Sequence, residues 1–373
     1  MKYFHVHPRA RHWWYSINFE RPRQEQSAAC RPDFTCTQPL PYGKNADIVA
    51  DFLLMVFPVS GVKTYIFIPP LVALVVSFLT SMGGVSGAFL LLPFQMSYLN
   101  FTSPAVSSTN FLYNIVAIPS GVCRYIREGR MAWPLTLIVI VGTLPGVFIG
   151  YYLRVLCLPD PRAFKLFVGC VLLYIGARLL YEVSGKASAG RSGMQTLEAK
   201  FRQRTAELKD RGRSKIAAGL PPEAVVKTLS FSLKSVTYEF WGETFSFSTP
   251  AMFVLAFLVG IIGGAYGIGG GAIIAPFCVA VFHLPVYTVA GAALMGTFLT
   301  SIAGIAFYSI LPAEGGLSTS PDWLLGLLFG IGGFGGMYLG ARLQKFVPQK
   351  VIKLLLGGLI LYVALRYIVQ FFG

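Results

Sequence analysis

From Thr64 to Cys123 the chain carries no Asp, Glu, Lys or Arg, and the same holds from Thr244 to Ala313. One spanning helix needs roughly 20 apolar residues, so each run has room for several crossings. A soluble core would not need such a length free of charge. Only 13% of the chain is charged and 54% is hydrophobic, against about 25% charged in a soluble domain. The chain therefore reads as a polytopic, all-α membrane protein placed in the cell (inner) membrane.

The net charge of +15 does not point to nucleic acid. Lys and Arg collect in an N-terminal arm, in short loops and in one insertion between Val183 and Glu243. Basic loops resist translocation, and that produces this distribution. No nucleic-acid partner is expected; the lipid bilayer is. Cys123, Cys157, Cys170 and Cys278 fall in apolar segments, where a buried Cys acts as a small hydrophobe. Cys30 and Cys36 could pair in an oxidising compartment. Together with His5, His7 and His12 they match no strong zinc spacing, so neither metal nor cofactor is read.

Four parts follow in order. Residues 1–61 form a polar arm ending in "DIVADFLLMVF", which is too short to cross and is placed at the interface. Residues 62–182 form a first membrane repeat, with segments at about 64–82, 85–99, 103–124, 132–156 and 162–181. Residues 183–247 form a basic, cytoplasmic insertion. Within it "MQTLEAKFRQRTAELKDR" reads as a helix. Val236, Tyr238 and Phe240, then Phe245 and Phe247, alternate about a Gly-containing turn as in a hairpin. Residues 248–373 form the second repeat, with segments at about 250–265, 268–284, 287–311, 322–345 and 350–370.

The halves correspond in detail. "GGVSGAFLLLPF" (83–94) has a counterpart in "YGIGGGAIIAPF" (266–277), with Gly84, Gly87 and Pro93 matching Gly267, Gly270 and Pro276. "FKLFVGCVLLYIGAR" answers to "IKLLLGGLILYVALR", and Gly142, Gly146 and Gly150 to Gly332, Gly336 and Gly340. The loop "RYIREGR" is basic, whereas its counterpart "LPAEGGLSTSPD" holds only acids. Opposite charge character in equivalent loops predicts opposite sides, hence inverted repeats. The basic arm disagrees with that placement, and its side stays open.

Glycine clusters at membrane depth predict broken or half-membrane helices, because irregular backbone survives there only inside protein or beside a cavity. A helix that restarts presents unpaired N–H groups and a positive dipole end, and glycine allows close approach. Two such starts facing one cavity would suit an anion. The candidate binding residues are Gly83, Gly84, Ser86 and Gly87, with Gly267, Gly269, Gly270 and Gly271. Thr109, Asn110 and Asn114 on the following segment, and Thr297 in the second copy, would add neutral donors. The bland alternative is close helix packing, with hydroxyls and amides acting as interhelical glue. For the Gly142 and Gly332 sets packing is the preferred reading.

These paired motifs, the "STN" after the first and "GARLQKFVP" near the close of the second half, resemble the sulfite exporter TauE/SafE family of membrane permeases. The resemblance spans roughly residues 62–182 and 248–370. It implies a secondary carrier of small sulfur-containing anions such as sulfite, sulfonates or sulfoacetate. No G-x-x-x-x-G-K-[ST] pattern is present to drive transport with ATP, and no paired acid and base or H-E-x-x-H marks an enzyme. The runner-up reading is a non-transporting assembly or sensor protein docking through its basic insertion. Association into a homo-oligomer is compatible with either.

Overall fold

The computed structural model describes residues 54–82, 85–127, 129, 131–183, 225–240, 242–311, 318–343 and 349–372. The arm with its cysteines and histidines, Gly83, Gly84 and the helix expected at 194–211 lie outside the described residues. So does most of the insertion on which the docking alternative rests.

The first half contains α1 (Ile68–Met82), α2 (Ala88–Ser97), α3 (Ala105–Ala117), α4 (Pro119–Arg127), α5 (Trp133–Tyr152) and α6 (Pro161–Val183). The second contains α7 (Thr249–Tyr266), α8 (Gly271–Val281), α9 (Val286–Ile310), α10 (Trp323–Leu343) and α11 (Gln349–Phe372). Among the described residues six helices are long and apolar enough to cross a membrane, while Ile68–Met82 and Ala88–Ser97 are shorter apolar pieces. At about 1.5 Å per residue, the 10 residues of α2 and the 11 of α8 reach only part-way across the hydrocarbon. The expected half-membrane helices are therefore present after each glycine motif.

Local chemistry sets the boundaries. Proline starts α5 and α7 near their first positions, where its missing N–H has no intrahelical partner to lose. Pro119 divides the expected 103–124 segment into α3 and α4, because a helix tends to end before a proline. Of the four cysteines in apolar segments only Cys278 is buried; Cys123, Cys157 and Cys170 face outward.

Side-chain size then decides which helices touch. α10 packs on α1, and α5 on α7; α3 meets α10, and α9 meets α5; α6 lies along α11, and α3 along α9. A methyl placed on Gly146 would lie 2.4 Å from the Phe257 carbonyl oxygen, and one on Gly150 2.5 Å from that of Ile261. On the other pair, Gly336 would meet the Leu74 oxygen at 2.3 Å and Gly340 that of Phe78 at 2.4 Å. The packing reading of these two glycine sets is what the structure shows.

Two small sheets are present among the described residues. β1 (Leu54–Val56) and β2 (Lys63–Tyr65) make an antiparallel hairpin, so part of the stretch placed at the interface is a strand. β3 (Lys227–Phe231), β4 (Ser235–Phe240) and β5 (Glu243–Ser248) form an antiparallel sheet in that order. β4 and β5 are the hairpin expected from the alternation, with Val236, Tyr238, Phe240 and Phe247 buried. The Tyr238 hydroxyl pairs with Thr288 at 2.9 Å, which ties the sheet to the foot of α9.

Candidate anion site

The described part of the first break, Val85 to Gly87, leads into α2, with Gly87 as its cap. The second runs from Tyr266 to Gly271. Gly267 ends α7 in the left-handed region at φ 85°, and Gly269 is left-handed again at φ 73°. Glycine adopts both without a Cβ penalty. The N–H groups of Gly267 and Ile268 both reach back to the Gly263 carbonyl, at 2.9 and 3.1 Å, closing α7 in the manner of a glycine-capped helix end.

Both breaks meet one face of α3. The Asn110 amide donates to the Ala88 carbonyl at 3.0 Å and to the Gly267 carbonyl at 3.1 Å. One turn on, the Asn114 amide donates to the Ile268 carbonyl at 3.1 Å, and its oxygen accepts the Ser86 hydroxyl at 2.9 Å. The four-residue spacing read in the sequence puts both amides on the same side. Through them α3 reaches the second break, 157 residues on from Asn110 and 154 on from Asn114. Tyr266, just before the second break, donates to the Phe89 carbonyl at 2.8 Å, a further direct tie between the two motifs.

The remaining expected residues divide. Thr297 belongs to the second break: its hydroxyl donates to the Ala293 carbonyl at 2.9 Å, and a methyl on Gly271 would lie 1.7 Å from that carbonyl and 2.5 Å from the hydroxyl. A methyl on Gly269 would meet the Thr297 side chain at 2.9 Å, and one on Gly270 the Thr143 side chain at 2.4 Å. Thr109 is engaged elsewhere, accepting the Asp322 N–H at 2.9 Å on the approach to α10.

Three further participants join them; Ser107 was already a donor offered by the sequence of α3, whereas Tyr113 and Gln95 were not anticipated. Tyr113 follows the "STN" on α3; its hydroxyl pairs with Ser77 of α1 at 2.7 Å and lies 2.5 Å from where a methyl on Gly87 would sit. Gln95 of α2 donates to the Asn110 oxygen at 3.4 Å, while its own carbonyl oxygen is buried without a partner. Ser107 donates to the Ala265 carbonyl at 3.0 Å, and its backbone fills the space beside Gly267. A polar residue inside an apolar helix was the available signal for each, but nothing local names a partner so distant in sequence.

The centre is neutral and closed. Ser86, Asn110, Asn114 and Thr297 are each at most 1% exposed, and their amide and hydroxyl donors are committed to protein oxygens. Among the described residues no Asp, Glu, Lys or Arg takes part in this network. An apolar groove of about 560 Å³ lies on the outer surface between Trp133, Leu137, Phe231, Met295 and Leu299, away from these residues. This arrangement can release neutral donors to a solute only by separating α3 from one or other break.

Comparison with known proteins agrees with this architecture. A stretch of the chain is 31% identical over 121 residues to the "Probable membrane transporter protein YdhB" of Bacillus subtilis (strain 168), covering 32% of this chain and 46% of that protein. The match to "Probable membrane transporter protein YunE" of the same organism is longer, 22% identical over 299 residues, with 78% of this chain and 92% of the relative covered. No solved structure matches. The family described as "Sulfite exporter TauE/SafE" matches residues 70–367. A multi-pass chain whose two glycine breaks meet on one polar helix face thus belongs to the sulfite exporter TauE/SafE family, a family of membrane transporters and not of enzymes.

Proposed function

We propose that the chain is a secondary carrier of small sulfur-containing anions, sulfite, a sulfonate or a sulfoacetate-like solute. The anion would be held between the starts of α2 and α8. The carrying observation is that Asn110 and Asn114 tie both breaks to one face of α3. Helix starts supply N–H groups and a favourable dipole, and the amides and hydroxyls supply neutral donors that suit an anion without trapping it by formal charge. The sequence repeats, taken as inverted, support alternation. Exchanging the two halves turns the α1–α10 contact into α7–α5, and α3–α10 into α9–α5. The conformation described is then the closed one, with Asn110 and Asn114 bonded to carbonyls in place of solute.

Flux of labelled sulfite in proteoliposomes tests the proposal. Asn114→Ala removes the amide that links Ser86 to Ile268, and flux is expected to fall at least tenfold, the loss of about 1.4 kcal/mol of stabilisation. Wild-type flux in a correctly inserted Asn114→Ala protein overturns the site. No sulfite, sulfonate or sulfoacetate flux in the parent overturns the substrate class.

A further inference from the structure

Arg154 is fully buried, with 0% of its surface exposed. It sits in a π-helical turn, Leu153–Cys157, that continues α5 at the end away from Trp133. Single π turns inside longer helices are frequent at functional sites. An ionisable side chain enclosed within a membrane protein is costly, and it normally pairs or marks a solute path.

Among the described residues nothing neutralises it. One terminal nitrogen donates to the Leu158 carbonyl and the other to the Thr102 carbonyl, the latter at 3.3 Å. The guanidinium carbon lies 3.8 Å from the centroid of the Phe164 ring, and the Tyr308 phenol is within electrostatic reach. All of these are neutral groups. Asp160, the nearest acid along the chain, is exposed and accepts the Ala163 N–H at 3.0 Å instead. Meanwhile the Nε of Arg154 and the hydroxyl of Ser103, which follows Thr102, are both buried without a partner among the described residues. In the register that pairs Gly150 with Gly340, the second half has Gln344 in place of Arg154, so the repeat does not demand a cation here.

A polar line leads inward from this point. Tyr308, within electrostatic reach of Arg154, donates to the Gly264 carbonyl at 3.1 Å. Ser107 lies beside Tyr308 and donates to the Ala265 carbonyl, two residues before Gly267. We infer that Arg154, with Ser103, is a separate binding station for a small oxyanion, at the membrane face opposite the basic 124–130 loop. A guanidinium offers a fork of donors suited to oxyanion geometry and is more weakly hydrated than an ammonium. An arriving oxyanion takes the free Nε–H, displaces the Thr102 carbonyl from the terminal nitrogen and accepts the Ser103 hydroxyl. This station binds independently of the central site.

The test uses the full-length parent chain, purified in neutral detergent and treated with phenylglyoxal, a neutral arginine reagent. Mass spectrometry follows labelling of Arg154 with and without sulfate or methanesulfonate, neither of which consumes the reagent, at constant ionic strength. Labelling of Arg154 is expected, slowed several-fold by either anion. Ser103→Ala is expected to keep the labelling and weaken the protection, while Asn114→Ala leaves protection as in the parent. If Arg154 resists the reagent, or labels at one rate whether or not the anions are present, it is a structural brace and the station does not exist. Full protection in Ser103→Ala removes Ser103 from the station. Loss of protection in Asn114→Ala overturns the claim of a separate site. Protection does not depend on transport, so it stands or falls apart from the flux of the proposed carrier.

Discussion

A single methyl distinguishes the glycines that shape the breaks from those that do not. At Gly271 an added Cβ would lie 1.7 Å from the Ala293 carbonyl oxygen, whereas at Gly358 in α11 nothing lies within 4 Å. Overpacking of this kind costs about 1–3 kcal/mol, so Gly271→Ala should lower the melting temperature and the yield of folded protein. Gly358→Ala should leave both unchanged or raise them, since alanine is favoured over glycine in a helix by up to about 1 kcal/mol. Scanning fluorimetry on the two variants checks the contrast; equal melting temperatures would contradict the geometry. At this scale Asn110 and Asn114 were legible, because two amides four apart in an apolar helix ask for a shared task. Thr109 read the same way in sequence yet serves Asp322, 213 residues on. Arg154 was not legible, because its position near a segment end looks like an ordinary flanking charge until burial is known.

Elements were more readable than their partners. The ten apolar segments expected from hydropathy are present as helices, with only Pro119 dividing one of them. The β4–β5 hairpin showed in its alternation, whereas β1 and β2 span three residues each, too few for a period to register. Helix pairing depends on the two glycine stripes. Gly146→Leu and Gly336→Leu should each destabilise the protein by about 3 kcal/mol, because backbone rather than a flexible side chain occupies the space. Thermal unfolding in detergent reads this loss. The sheet has its own test. Burial pushes the Tyr238 phenol above its ordinary range, so the folded state favours the neutral form. That stabilisation is present below the usual tyrosine value near about 10 and is lost as pH rises above it. Tyr238→Phe should sacrifice about 1 kcal/mol at neutral pH with the Thr288 bond. It should also make the alkaline fall in melting temperature shallower than in the parent.

For the molecule as a whole, charge asymmetry between equivalent loops is the main guide to orientation, and it has a direct check. In a chain stripped of native cysteines, Arg127→Cys and Ser318→Cys should react with an impermeant maleimide from opposite faces of sealed vesicles. Labelling from one face would exclude inverted repeats. The sequence reads as a duplication; how its two halves would pack was not legible, since hydropathy reports depth and says nothing about neighbours. The helix pairs α1–α10 and α5–α7 each draw one member from either copy, and backbone nearly touches backbone along both. A seam without intervening side chains has no slack in which to slide. Any rocking that opens the centre must therefore carry each pair as one beam. In the proposed carrier, the units that move against each other would each be built from helices of both halves of the chain, and severing the chain between residues 183 and 248 would cut through neither.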